Sequence, residues 1–298
     1  LDLPRRELDQ VRGRHVAFVF QDPLTALTPH LTIETQMGEV LEHHFKVTGD
    51  AARQRCVEWL ERVRIPEATR RLTQYPHELS GGMRQRVMIG MAMMAEPALL
   101  IADEPTTALD ATVQAQVLDL IEDLQKDTNA AVALITHDMG VIARMAQRVA
   151  VMRRGEVVET GVVEEIYSAP KADYTKMLLK AVPRIDGERH VPLAPPEPGP
   201  PILKVEDVRV IFPVKVKTSS MFGAKKPLRA VDGVSFQLNA GETLGIVGES
   251  GCGKSTLARA VVQLLPRNAG DVTFLGRNLL PSEREAIRQS RKDLQIVF

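Results

Sequence analysis

The run Gly248-Glu249-Ser250-Gly251-Cys252-Gly253-Lys254-Ser255-Thr256 follows the pattern G-x-x-x-x-G-K-[ST], and the chemistry it suggests is the holding of phosphate groups. Successive backbone N–H groups in a glycine-rich turn form a concave anion site, and a helix N-terminus behind it adds its dipole. Lys254 supplies a point charge for β- and γ-phosphates, and the Ser255 hydroxyl can ligate Mg²⁺. The flanks agree with this reading. Thr243–Val247 is an apolar run read as a strand, and Lys254–Leu265 reads as a helix. A surface turn that merely contains glycine and lysine would lack both. Within the loop, Lys254 and the helix end could acidify the thiol of Cys252. The simpler reading, a small residue tolerated in a tight turn, is favoured.

A second constellation is a pair of carboxylates. Leu99-Leu-Ile-Ala-Asp103-Glu104 is an apolar run ending in two acids, and ligands in open α/β sheets bind at strand ends. A carboxylate there can hold Mg²⁺, and its neighbour can polarise an attacking water. Alone this is also what any strand entering a turn looks like, so its surroundings matter. Pro105-Thr-Thr-Ala-Leu-Asp110 follows it, and Leu79-Ser80-Gly81-Gly82-Met83-Arg-Gln-Arg86 precedes it. Ser80, Gly81 and Gly82 stand where a helix starts, a second N-terminus suited to an anion. Further on, an apolar run ends at Thr136-His137-Asp138. A lone histidine is usually structural, but one at a sheet's carboxyl edge can contact a γ-phosphate.

These residues need a scaffold. Ala98–Ala102 and Ala131–Thr136 are short continuous apolar runs, the pattern of buried parallel strands. Between them Val113, Val117, Leu120, Ile121 and Leu124 recur at helical spacing, giving strand, helix, strand. Asp50–Ile65 and Met83–Ala95 read as further helices. Met83, Met88, Met91, Met93 and Met94 read as core filler, and Trp59 as a packing residue. Ile202–Phe212 alternates like a half-buried strand, and Val234–Asn239 is another, ended by a turn at Ala240–Gly241. Between the two sets, Pro183–Pro201 carries seven prolines and reads as an extended linker. The two ends also resemble each other. Val16–Phe20 (VAFVF) and Leu294–Phe298 (LQIVF) each follow a polar, basic stretch.

Composition sets limits. The 298 residues hold 38 basic and 38 acidic side chains, and a neutral chain is a poor candidate for coating nucleic acid. Two cysteines, Cys56 and Cys252, exclude a disulfide framework and a four-thiolate zinc site, and fit a reducing compartment. The most apolar stretch, Val87 to Ala102, is broken by Glu96 and Pro97, so no membrane span is expected. The chain opens at Leu1 with no signal-peptide pattern, and reads as a fragment.

Together the motifs resemble the ATP-binding subunits of ABC transporters. LSGGMRQR looks like the family signature, LLIADEP the Walker B strand, ALD the D-loop and Thr136-His137 the switch histidine. FVF-Gln21-Asp22-Pro23 looks like the Q-loop and GESGCGKST the Walker A loop. Gln21-Asp-Pro-Leu-Thr-Ala-Leu, Ala150-Val-Met-Arg-Arg-Gly and Tyr174-Thr-Lys-Met-Leu-Leu-Lys-Ala-Val-Pro183 resemble the peptide, glutathione and nickel importer branch, in which some subunits carry two ATPase halves.

The resemblance implies an α/β P-loop NTPase with a RecA-like core, an antiparallel β subdomain and an α-helical subdomain, roughly residues 24–95. It implies ATP and Mg²⁺ as cofactors. ATP would be held by Gly248, Glu249, Ser250, Gly251, Cys252, Gly253, Lys254, Ser255 and Thr256, by Ser80, Gly81, Gly82 and Asp110 across a domain interface, and by Phe212 stacking on adenine. For Phe212 a strand residue facing the core is an equally good reading of the pattern alone. Ser255, Asp103 and Gln21 would serve the metal, Glu104 would act as general base, and His137 and Gln21 would complete the catalytic set. The implied partners are transmembrane permease subunits, a second ATPase half and, indirectly, an extracytoplasmic solute-binding protein. The implied location is peripheral, on the cytoplasmic face of the inner membrane.

Family order begins with Walker A; here it comes last. The chain therefore reads as residues 1–182, the later part of one ATPase half, a linker at 183–201, and residues 202–298, the first part of the next. A linker of 19 residues reaches about 60 Å when extended. One composite, circularly permuted domain is then the expectation, with Lys254 near Asp103 and only one of the two similar ends in the sheet. A non-transport ABC ATPase acting on DNA or ribosomes is the alternative, disfavoured by the absence of a cysteine cluster or basic linker. An inert nucleotide-binding fragment is the other.

Overall fold

The structure, a computed structural model, describes residues 4–107, 109–182, 199–215, 225–249, 251–280 and 284–297. Ser250, Phe298 and most of the proline-rich linker lie outside the described residues. The chain divides into two compact units, Leu1–Asp186 and Gly187–Phe298.

In the first unit, β1 (Val16–Val19), β2 (Leu99–Asp103) and β3 (Ala131–Ile135) form a parallel sheet in that order. The register aligns Ala17 with Leu100 and Leu100 with Val132, and two residues on Val19 with Ala102 and Ala102 with Leu134. Successive side chains of a strand point to opposite faces, so these six share one face. Ala17, Val19, Leu100 and Ala102 are buried in the unit's core, with Val132 and Leu134 packed against it. The other face carries Phe18, Ile101, Ala133 and Ile135, and Phe18 and Ile135 are exposed. The expectation of buried strands therefore holds for one face only. Among the described residues of this unit the helices pack on a single side, and β3 alternates between exposed and half-buried for that reason.

The helices whose buried residues share this core are α1 (Ile33–Phe45), α2 (Gly49–Arg62), α3 (Gly81–Met93) and α4 (Ala111–Thr128). α3 begins two residues before its expected start because Ser80 caps it, accepting a bond from Met83 N at 3.3 Å. Met88, Met93 and Met94 are buried, and Met83 and Met91 pack on the same core, as their spacing suggests. Trp59 is buried too, with the Arg62 guanidinium 4.3 Å from its ring centroid. Gly82 is needed for packing: a Cβ there would lie 2.5 Å from Val113 Cγ1 of α4. Beyond β3 come α5 (Met139–Met145), an antiparallel pair of β4 (Arg148–Arg153) and β5 (Glu156–Val162), and α6 (Asp173–Ala181).

In the second unit, β6 (Pro201–Lys215) pairs antiparallel with β7 (Lys225–Asn239) and with β8 (Ala269–Phe274), and β9 (Arg277–Asn278) closes the order β7-β6-β8-β9. α7 (Lys254–Val261) packs on this sheet through Leu257, Ala260 and Val261, in a core with Val205, Val208 and Val272. The helix is one turn shorter than its sequence suggests, because Gln263 adopts a left-handed φ of 57°.

One expected strand is absent. Residues 243–247 form no strand, and Leu244, Ile246 and Val247 are exposed, Val247 at 92%. A strand is defined by its ladder, and among the described residues of this unit the four strands pair with one another and not with this run. Residues 294–297 likewise form no strand, although Leu294 packs on the unit's core. Of the two similar ends, only Val16–Val19 lies in a sheet.

Candidate functional site

The carboxyl end of β2 gathers the first set of side chains. Glu104 follows the last ladder position, its N–H donating to Ile135 O at 2.8 Å, and takes a left-handed φ of 45°. Such a conformation costs on the order of 1–3 kcal/mol at a non-glycine residue and turns the side chain out of the strand's alternation. Its Oε1 meets His137 Nδ1 at 2.8 Å, and its Oε2 accepts from Gln21 Nε2 at 2.8 Å and from Thr107 Oγ1 at 2.7 Å. The three partners come from the loops after β1, β2 and β3. A parallel sheet points all its strand ends the same way, so the three loops emerge side by side.

The electrostatics follow from these bonds. The Thr107 hydroxyl first, then His137, hold the Glu104 carboxyl below its usual 4.5. The same contact with Glu104 raises His137 above its usual 6.5. An ionised carboxylate only accepts, so Nδ1 of His137 is the donor. His137 is 77% exposed at its side chain and 2.8 Å from its partner, so its other ring nitrogen has room to meet a ligand. Asp103, the last residue of β2, is half-buried beside this cluster. Sequence reasoning brought Gln21, Glu104 and His137 to one place, and the structure does the same. It passed over Thr107, although Pro105 in Glu-Pro-Thr-Thr marks a turn that returns the fourth residue over the first.

Two other expected ligand residues are caps. Ser80 is the N-cap of α3, and Asp110 that of α4, its Oδ1 accepting from Val113 N at 3.0 Å. Gly81 and Gly82 form the first turn of α3 with unblocked N–H groups, as an anion site requires.

In the second unit the loop at 248–253 leads into α7, with Gly253 as its N-cap at φ 100°. A Cβ at Gly253 would lie 2.1 Å from Ala230 O, so both the conformation and the contact demand glycine. Gly251 also has a left-handed φ, 81°. Lys254 Nζ donates to Gly248 O at 2.7 Å and to Glu249 O at 2.8 Å and lies 3.6 Å from Cys252 Sγ. The ammonium is thus held against two carbonyls of the loop. Ser255 and Thr256 open the helix behind it. Phe212 lies opposite Leu228 on the β6–β7 ribbon, exposed and outside the core, which removes the core-facing reading of this residue. Among the described residues no three His, Cys, Asp or Glu side chains cluster as a metal site, and no helix is long and apolar enough to cross a membrane.

Comparison with known proteins places the chain among its relatives. The ABC transporter family model matches residues 2–107, which hold Gln21, Ser80, Asp103, Glu104 and Thr107, and residues 231–298, which hold the glycine-rich loop. A peptidoglycan transport ATP-binding protein of Agrobacterium fabrum is 46% identical over 301 residues, covering 100% of this chain and 53% of that protein. A glutathione import ATP-binding protein of Pectobacterium atrosepticum is 43% identical over 315 residues, covering 99% and 50%. Its counterpart in Escherichia coli is 44% identical over 313 residues, covering 98% and 50%. The chain therefore spans about half the length of the curated relatives it matches. With a family model matched over more than half of its residues, the chain belongs to the ABC transporter family.

Proposed function

We propose that the chain supplies the nucleotide-binding and hydrolytic residues of an importer ATPase for peptides or related small solutes. The observation that carries this is the Glu104 cluster: one carboxylate fixed by side chains from three strand ends in a chain that also holds a phosphate loop. The loop amides of Gly251, Gly253 and Lys254 and the Lys254 ammonium bind the phosphates of ATP. Glu104 takes a proton from the attacking water. His137 steadies the transferring phosphoryl group, and catalysis is otherwise positioning and electrostatics. Phe212, exposed on its ribbon, is free to stack on adenine. Ser80, Gly81, Gly82 and Asp110 serve a nucleotide held by a second ATPase half.

Mg²⁺ fits the donors present. Hydroxyl, carboxylate and amide oxygens of Ser255, Asp103 and Gln21 are the hard ligands it prefers, alongside phosphate and water. When bound, the ion would neutralise charge on the phosphates. The solute class follows the relatives' printed names, which refer to peptidoglycan and glutathione. Permease subunits are the direct partners and a solute-binding protein an indirect one, with the protein peripheral on the cytoplasmic face of the inner membrane. Gln21 and the helices of residues 24–95 form the coupling surface, so changes on those helices uncouple transport while leaving ATP affinity nearly intact.

Calorimetry with Lys254→Ala tests the binding reading. Losing charged hydrogen bonds weakens MgATP binding at least about tenfold. Unchanged affinity would show that the loop does not hold phosphate. Binding without any turnover by the unaltered chain would favour the inert fragment instead.

A further inference from the structure

The turn after β2 decides which oxygen of Glu104 is open. Glu104-Pro105-Thr106-Thr107 is closed by Thr107 N donating to Glu104 O at 3.1 Å. Proline in its second position presets the φ such a turn needs, which carries the Thr107 side chain back over Glu104. Thr107 Oγ1 and Gln21 Nε2 both donate to Oε2, at 2.7 and 2.8 Å. A carboxylate oxygen offers two lone pairs, so Oε2 is filled. Among the described residues Oε1 accepts only from His137 Nδ1, at 2.8 Å, and keeps one lone pair.

We propose that Thr107 is a positioning residue that, with Gln21, occupies Oε2 of Glu104 and leaves the remaining lone pair of Oε1, beside His137, as the acceptor for the attacking water's proton. The inference rests on Glu104 acting as the general base. In that step a water O–H bond breaks and its proton passes to Oε1, while the water oxygen bonds to the γ-phosphorus of ATP. The bond from that phosphorus to the bridging oxygen breaks, and its electron pair leaves with ADP. Thr107 touches none of these atoms. It acts by holding the carboxylate plane, whose terminal torsion is otherwise broad. Valine has the same shape without the donor and cannot replace it; serine can.

The test uses the full chain and the variants Thr107→Val, Thr107→Ser and Glu104→Gln. In nitrogen-15 NMR without nucleotide, Glu104→Gln identifies the Gln21 side-chain amide and His137 ring signals that depend on the carboxylate. In Thr107→Val these signals should move towards their Glu104→Gln positions, and in Thr107→Ser they should stay. Signals unmoved in Thr107→Val overturn the positioning role, whatever Glu104 does in catalysis. In ATP turnover, Thr107→Val should lower kcat about tenfold with KM unchanged, and Thr107→Ser should restore it. An unchanged kcat, or a rise in KM alone, also overturns the proposal. Full turnover in Glu104→Gln would instead remove the general-base reading on which it rests.

Discussion

Two apolar runs of five residues lead into the two glycine- or acid-bearing loops of this chain, and only one of them is a strand. Leu99–Asp103 is flanked on both edges by β1 and β3, and the loop after it is held by side chains from three elements. Among the described residues of its unit, 243–247 joins no ladder, and the loop that follows is met by Lys254 from the helix behind it, bonded to the carbonyls of Gly248 and Glu249. The apolar content of the two runs is similar. The difference lies in the neighbours, because a strand's hydrogen bonds are all made to another segment. A site built from side chains needs its sheet complete. A phosphate loop built from backbone conformation is encoded within a few residues, by glycines at φ 81° and 100° and the helix start behind them.

The largest effect expected from this contrast is chemical. Glu104→Gln keeps size and hydrogen-bonding capacity but removes the base, so phosphate release should fall about 10²–10⁴-fold while nucleotide binding persists. Undiminished release would show that the side-chain site is not where hydrolysis occurs.

Stability should separate the two runs next. Leu100→Ala opens a cavity under β2, where Leu100 is 1% exposed, and should cost about 2–5 kcal/mol in urea unfolding. Ile246→Ala removes a side chain that is 48% exposed and should change stability by less than about 0.5 kcal/mol. A large loss from Ile246→Ala would show that the run is packed in solution, and the contrast would disappear.

The backbone-encoded loop has its own weak point. Gly253→Ala forces a Cβ against Ala230 O at a φ that side chains rarely adopt, and should destabilise the second unit by at least about 1–3 kcal/mol. Thermal unfolding followed by probes in the second unit should show the loss.

The smallest effect is electrostatic. In the His137–Glu104 pair the imidazole is largely exposed, so solvent screens the contact and its contribution to stability is minor. His137 is raised, so its share is fully present below its ordinary 6.5 and fades as pH climbs through the raised value. Glu104 is lowered, so its share is present above its ordinary 4.5 and fades as pH falls through the lowered value. The pair therefore contributes fully between those two ordinary values. Imidazole titration by NMR should show His137 returning towards 6.5 in Glu104→Gln. No change would mean that the contact is not made.

Much of the site could be read before the fold was known, because its parts are local. The glycine spacing at 248–253, the serine before Gly81-Gly82 and the acids closing an apolar run each carry their chemistry within a short segment. The helix caps at Ser80 and Asp110 are local as well, though the sequence offered them as ligands rather than as caps. Thr107 was missed because a threonine in a turn is unremarkable until its acceptor is known.

By itself the sequence determined the motifs, the glycines that only a left-handed or crowded backbone position explains, three of the four helices of the first unit's core, and membership of the family. Only the tertiary structure decided that the three-stranded sheet is covered on one face, that residues 243–247 and 294–297 are not strands, and that Glu104 is held through both oxygens. The reason is physical. Helical periodicity, turns and glycine conformations are set by interactions a few residues apart. Strand pairing, face burial and hydrogen bonds between residues 33 to 83 positions apart exist only once distant segments have met.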